Sequence, residues 1–161
     1  MGRIDKENYY LDIAQTVAER ATCLRRCYGA ILVKSDEIIA TGYNGAPRGR
    51  KNCVDLNYCT REALNIPSGE RYELCRSVHA EANAIISAAR SETIGATLYM
   101  ACVDPATGEL IPNSTSCSMC RRLIINAGIQ RVVIRNTKTD YSVVHVEDWI
   151  REDDSLPKQE G

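Results

Sequence analysis

The chain has 161 residues, 44% of them hydrophobic and 25% charged, which is enough for one ordinary core without disulfide staples and unlike the composition of a disordered or fibrous chain. Twenty Lys and Arg against 21 Asp and Glu leave a formal net charge of -1, which excludes a global basic field of the kind that grips long nucleic acid and favours a small-molecule substrate. The first residues, MGRIDKENYYLD, are charged, and no stretch approaches the run of about 18 apolar residues that a membrane span requires. Eight cysteines without a secretion signal then read as metal ligands or core residues in a reducing, cytoplasmic setting.

Apolar positions Tyr10, Ile13, Ala14, Val17 and Ala21 recur at helical spacing and predict a helix over about 6–22. YGAILVK (28–34) and EIIATGY (37–43), separated by Ser35 and Asp36, read as two strands of a hairpin. Residues 44–77 carry Gly, Pro, Arg and scattered Cys without a sustained period and are too long for an ordinary connector, so something must organise them. A helix is expected over 78–90, a strand over 96–102, a loop over 103–116, a helix over 117–127 stopped by Gly128, and a strand over 130–135. The tail offers a short segment at 143–146 and an acidic end bearing Trp149. Strands alternating with helices after a hairpin imply a mixed sheet of about five strands inside a three-layer α/β/α sandwich, in a single domain over 1–161 with a cysteine-containing insertion at about 44–77.

Two short motifs carry the chemistry: His79-Ala80-Glu81 and Cys117-Ser118-Met119-Cys120, each at the start of a predicted helix. One imidazole and two thiolates give Zn²⁺ three protein ligands and leave its fourth position to water, the arrangement of catalytic zinc sites. Helix N-termini favour thiolate over thiol and so favour metal binding near neutral pH. Glu81, two residues after His79, is displaced around the helix and is better placed to relay protons than to ligate. Taken alone, a CxxC also fits a structural zinc or a redox pair, and a lone HxE arises by chance. Together, in this order, they match the H-x-E…P-C-x-x-C signature of zinc nucleobase deaminases, with Ser116 where the signature has proline. The reaction so implied is hydrolytic deamination of an amine-bearing ring.

With these residues placed, the chain resembles the deoxycytidylate (dCMP) deaminase family from about Tyr9 through Asn136. The resemblance is carried by RATCLRRCYGAILVK, IIATGYNGAP, ELCRSVHAEANAII and CSMCRRLIINAGI, in that order and spacing. It implies the cytidine deaminase-like α/β/α sandwich and conversion of dCMP to dUMP on the route to thymidylate. It also implies substrate contacts from Asn44, in the GYNG motif, from the backbone of Ala80 and from Tyr141. An Asn-Gly pair is, on sequence alone, equally at home in a turn. Cys23, Cys53, Cys59 and Cys75 resemble positions at which some members hold a second, structural zinc, whereas Cys27 and Cys102 read as strand or core residues.

Arg48, Arg50 and Lys51 form a basic run that could meet a 5′-phosphate or lie on a solvated loop. Arg90 matches a family position tied to subunit contacts and effector response, although a helix-end arginine also suits the helix dipole. Homo-oligomers, from dimer to hexamer, and dCTP or dTTP as effectors are further expectations of the resemblance. Two alternatives stay open: the same chemistry on cytidine, dCTP, guanine or a tRNA base, and a non-enzymatic zinc module.

Overall fold

The computed structural model describes residues 2–153 and Leu156, and the rest of the acidic tail lies outside the described residues. Its centre is a five-stranded mixed sheet in the order β2-β1-β3-β4-β5, built from β1 (Cys27–Lys34), β2 (Glu37–Tyr43), β3 (Thr97–Val103), β4 (Arg131–Arg135) and β5 (Tyr141–His145). β1 pairs antiparallel with both β2 and β3, β3 runs parallel to β4, and β5 closes the far edge antiparallel to β4. The β1–β2 hairpin turns on Ser35 and Asp36, with φ of 52° and 60°, the pair of positive angles that a two-residue turn needs to follow strand twist.

Strand alternation assigns side chains to two layers. Ile31, Val33, Tyr99, Ala101 and Val133 face α1 (Lys6–Ala18) and pack on Tyr10, Leu11 and Ala14. Ala30, Leu32, Leu98, Met100, Val132 and Ile134 face the other way, with Ala80, Ala84 and Ile124. Those last three belong to α4 (Ala80–Ile86) and α6 (Ser118–Asn126), which share that face. Gly29 lets α1 settle on β1: a Cβ there would stand 2.0 Å from the Ala14 carbonyl oxygen. The result is the three-layer α/β/α arrangement.

Arg135, at the end of β4, ties the first layer to the sheet. Its guanidinium pairs with Asp12 at 2.7 Å and donates to Gln15 Oε1 and to Asn8 and Lys138 oxygens. Cys27 and Cys102 are buried strand residues, as expected.

Three expected elements differ in extent. The first helix stops at Ala18 instead of residue 22, because the Thr22 N–H bonds to the Asn44 carbonyl (3.1 Å) and draws the chain away from the helix axis. The helix expected over 78–90 breaks into α4 and a separate turn, α5 (Arg90–Thr93). Thr93 Oγ1 and Arg90 Nη1 donate to the Ala127 and Asn126 carbonyls at the end of α6, and these tertiary bonds hold the second turn off the axis of the first. The segment expected at 143–146 is β5, followed at once by α7 (Val146–Arg151), whose Val146 joins the α6 face of the core with Trp149 packed against it.

Residues 44–77 are organised by short pieces: α2 (Cys53–Leu56), α3 (Thr60–Ala63) and a 3₁₀ turn at Tyr72–Leu74. Gly45 and Val78 exchange both backbone hydrogen bonds (3.2 and 2.7 Å) and close the segment at its base. Arg61 is its buried centre. Among the described residues no helix is long and apolar enough to cross a membrane.

Candidate functional site

The two motifs meet because each sits at the N-terminus of a helix on the same face of the sheet. His79 is the N-cap of α4 and Cys117 the N-cap of α6, with Cys120 in the first turn of α6. Gly42 fixes the height of α4: a Cβ there would lie 2.3 Å from the Ala80 carbonyl oxygen and 2.4 Å from Ala84 N, so the helix rests on bare β2 backbone. Asn83 Nδ2 pins the same turn to the Tyr43 carbonyl at 2.8 Å.

His79 Nδ1 lies 3.5 Å from Cys117 Sγ and 3.4 Å from Cys120 Sγ, and the three candidate ligand atoms are all within 4.8 Å of one another. A zinc tetrahedron with ordinary Zn–N and Zn–S bonds has N···S edges of about 3.6 Å, so the donor set fits that ion in type and in size. The hydrogen bond from Cys120 pushes the Cys117 thiol down, and the same bond together with burial pushes Cys120 up. His79 is pushed up to about 10, first by its bond with Cys117 and then by one with Cys75.

Glu81 is buried and its carboxylate raises the Cys120 thiol further, which places it beside the donor set without making it a fourth member. His79, Glu81 and Cys117 open onto a cavity of about 520 Å³, a size suited to a small molecule. Asn44 lines the same cavity. Its Nδ2 donates to the Arg26 carbonyl (2.9 Å) and its Oδ1 accepts the Tyr28 N–H (2.8 Å), so the Asn-Gly pair is no simple turn: the amide locks the cavity wall to β1. Ser116, in the place of the signature proline, is buried; its hydroxyl meets Met100 Sδ at 3.5 Å and its carbonyl accepts Arg121 Nε at 3.0 Å.

The other expected residues are placed as follows. Ala80 is fully buried between His79 and Glu81, in the core and outside the cavity lining. Tyr141 begins edge strand β5, exposed and away from the cavity lining. Arg48, Arg50 and Lys51 are exposed and none lines the cavity. Arg90 is engaged with the Asn126 carbonyl.

Cys23, Cys59 and Cys75 line the cavity and Cys53 lies close enough for all three to act on its thiol, yet among the described residues no three of the four bring their sulfurs within 4.8 Å. Sequence reasoning missed Arg25, Arg26, Arg61 and Arg121, which line the cavity. Nothing in periodicity marks them, since an arginine outside an apolar stripe reads as surface.

A family model described as the cytidine and deoxycytidylate deaminase zinc-binding region matches residues 4–136. The chain belongs to that family. The deoxycytidylate deaminase of Mycobacterium phage D29 is 39% identical over 138 residues, which cover 83% of this chain and 96% of that one. The deoxycytidylate deaminase of Schizosaccharomyces pombe is 33% identical over 127 residues, covering 79% of this chain and 36% of the yeast protein. Among solved structures, the apo dCMP deaminase of cyanophage S-TIM5 superposes with a TM-score of 0.58 at 26% identity, covering 84% of this chain and 86% of that one. Cytidine deaminase of Mycobacterium tuberculosis shares the fold at a TM-score of 0.52 and 18% identity, over 95% of this chain and all of that one.

Proposed function

We propose that this chain converts dCMP and water to dUMP and ammonia, with His79, Cys117 and Cys120 holding one Zn²⁺ and Glu81 moving the protons. The observation that carries the proposal is the meeting of a zinc-sized nitrogen–sulfur triad with a buried carboxylate at one cavity. The likeness to the phage D29 enzyme over 96% of its length supports dCMP as the substrate. When bound, zinc supplies a Lewis acid that makes water a nucleophile at neutral pH. Glu81 takes one proton from the attacking water and delivers it to ring N3, then takes the second from the new C4 hydroxyl and delivers it to the amine, so that the C4–N bond breaks, C4=O forms and ammonia departs. Asn44 spends one Nδ2 hydrogen on Arg26 and keeps the other for a sugar hydroxyl. Ala80, at the first position of α4, offers its backbone to the pyrimidine edge.

Three further parts belong to the same proposal. Cys23, Cys53, Cys59 and Cys75, all free thiols in one region, would close a structural zinc site if drawn together. Exposed Ile86, Ile94 and Leu123, around the α4 and α6 face, support self-association, and dCTP and dTTP remain the effectors to try. Eight unpaired cysteines support a reducing, cytoplasmic setting.

The test is Glu81→Gln. It should keep zinc and the folded state while lowering dCMP turnover roughly 10²- to 10⁴-fold. Undiminished turnover would sink the mechanism. A substrate panel of dCMP, dCTP, deoxycytidine, cytidine and guanine, read by ammonia release, separates the substrate from the chemistry.

A further inference from the structure

The two caps that carry metal ligands are reached by differently held backbone. His79 follows Val78, whose N–H and carbonyl both bond to Gly45 (2.7 and 3.2 Å), so a β-bridge fixes the chain that delivers the imidazole. Cys117 follows Ser116, which belongs to no strand or bridge. Neither cap steadies its own turn with a side-chain hydrogen bond, because both side chains are turned to the donor set. The loop before Cys117 is pinned only as far as Ser114. The Asn113 N–H donates to Asn136 Oδ1 and Ser114 Oγ to the Ile111 carbonyl, each at 2.8 Å.

At residue 116 the zinc deaminase signature has a proline, whose ring fixes φ just before the first thiolate. Ser116 lacks that restraint, yet it is only 2% exposed and its carbonyl accepts Arg121 Nε at 3.0 Å. Arg121 stands one turn into α6, so this bond reaches back across the cap from the helix that carries both cysteines. Its guanidinium lies 5.0 Å from the centre of the Trp149 ring, within cation–π range. Trp149 belongs to α7, lies outside the cavity lining and is half-buried against the core face that includes Ile124. A residue on the far side of α6 is thereby joined, through one arginine, to the peptide that delivers Cys117.

With His79, Cys117 and Cys120 read as the catalytic zinc ligands, on which this rests, we propose that Arg121 and Trp149 are positioning residues for the metal. Trp149 orients the Arg121 guanidinium, Arg121 holds the Ser116 carbonyl, and together they supply the backbone restraint that proline supplies in the signature. Groups that orient a metal's ligands contribute to its affinity as well as to turnover. Among the described residues the Ser116 N–H has no acceptor, so a proline introduced there would cost no hydrogen bond and should make the pair redundant.

The experiment is a competition titration of Zn²⁺ against a chelator on the full chain carrying Cys53→Ser, so that the triad alone is read, with dCMP kinetics at saturating zinc in parallel. Arg121 also lines the cavity, so Trp149, which does not, carries the test. Trp149→Leu keeps an apolar side chain on the core and removes the ring face. It should weaken zinc binding roughly 10-fold and lower kcat about 3- to 10-fold, with KM for dCMP unchanged. Trp149→Tyr, which keeps a ring, should stay near the parent protein, and Ser116→Pro added to Trp149→Leu should restore most of the zinc affinity. Parental zinc affinity in Trp149→Leu, an equal loss in Trp149→Tyr, or an equal loss with the proline present would overturn the assignment. If the proline variant does not fold, Arg121→Lys decides, since it keeps the charge and loses the Nε donor: zinc binding weakened as in Trp149→Leu sustains the assignment, and unchanged binding overturns it. A parent protein that takes up no zinc at the triad overturns the zinc reading itself. One that binds zinc and deaminates dCMP while Trp149→Leu does both equally well overturns only the positioning.

Discussion

Two groups of metal-type ligands lie in this molecule a short distance apart, and only one of them is assembled. Among the described residues the ligand atoms of His79, Cys117 and Cys120 lie within 4.8 Å of one another, whereas no three of Cys23, Cys53, Cys59 and Cys75 do. The first group is carried by caps and first turns of two helices that share a core with the sheet, so its geometry is inherited from burial of Ala80, Ala84 and Ile124. The second is carried by the turn after α1, two four-residue helices and the end of a 3₁₀ turn, where there is little apolar burial to set positions. Burial raises the Cys75 thiol, and the neighbouring His79 ring and Ser77 N–H outweigh burial and lower it. A preorganised site needs a packed scaffold behind it, and a loop site needs its ion.

The largest effect that tests this contrast is loss of a triad ligand. Cys120→Ser should lose the catalytic zinc and lower dCMP turnover by about 10³-fold or more, while Cys53→Ser should abolish only the proposed second zinc site and keep most of the turnover of the folded fraction. Metal analysis with steady-state kinetics on both variants reads the outcome, and a reversed order would break the contrast. Next, the wild type should carry about two zinc atoms per chain, with a mild chelator stripping the four-cysteine site first because its ligands must be ordered on binding. A stable count of one removes that site.

The pH dependence of zinc uptake sharpens the comparison further. In the metal-free triad His79, pushed up to about 10, and Cys120, pushed up by its bond to Cys117, both hold protons that zinc must displace. Apparent affinity should therefore rise with pH between 6 and 9, by up to about tenfold per unit for each proton released, in competition titrations with a chelator. An affinity independent of pH would mean that the triad is already deprotonated.

The smallest effects concern glycines. Gly42→Ala drives a Cβ into the α4 backbone and should cost roughly 1–3 kcal/mol and lower kcat, since the helix that moves carries His79 and Glu81. Gly49→Ala, in the 44–77 segment, meets nothing within 4 Å and pays only for its φ of +90°. It should cost about 1 kcal/mol with kcat unchanged. Urea denaturation with parallel kinetics measures both, and equal costs would mean that the frame and the segment are equally tight.

Much of the frame was legible in the residues. Period-two runs such as YGAILVK marked strands, and the HAE and CSMC motifs contain the three donors that the fold brings together and the carboxylate buried beside them. Helix lengths were less legible: the reading over 78–90 ran through residue 87 because Ala-rich sequence has no local stop there, and the break is made by Thr93 and Arg90 bonding to the end of α6. The basic run Arg48, Arg50 and Lys51 looked like a phosphate site because it follows Asn44 in sequence, yet it lies outside the cavity lining. Arg61, which no sequence signal singles out, is buried at the cavity.

Residue chemistry and local spacing determined by themselves which donors this protein has and on which elements they ride, because helix and strand periods are short-range properties of the backbone. Tertiary structure alone decided which donors meet. Convergence of His79 with Cys117 and Cys120, and the burial of Arg61 against the ring of Tyr72, depend on contacts between residues far apart in the chain, and those contacts are set by how α4, α6 and the 44–77 segment pack against one sheet.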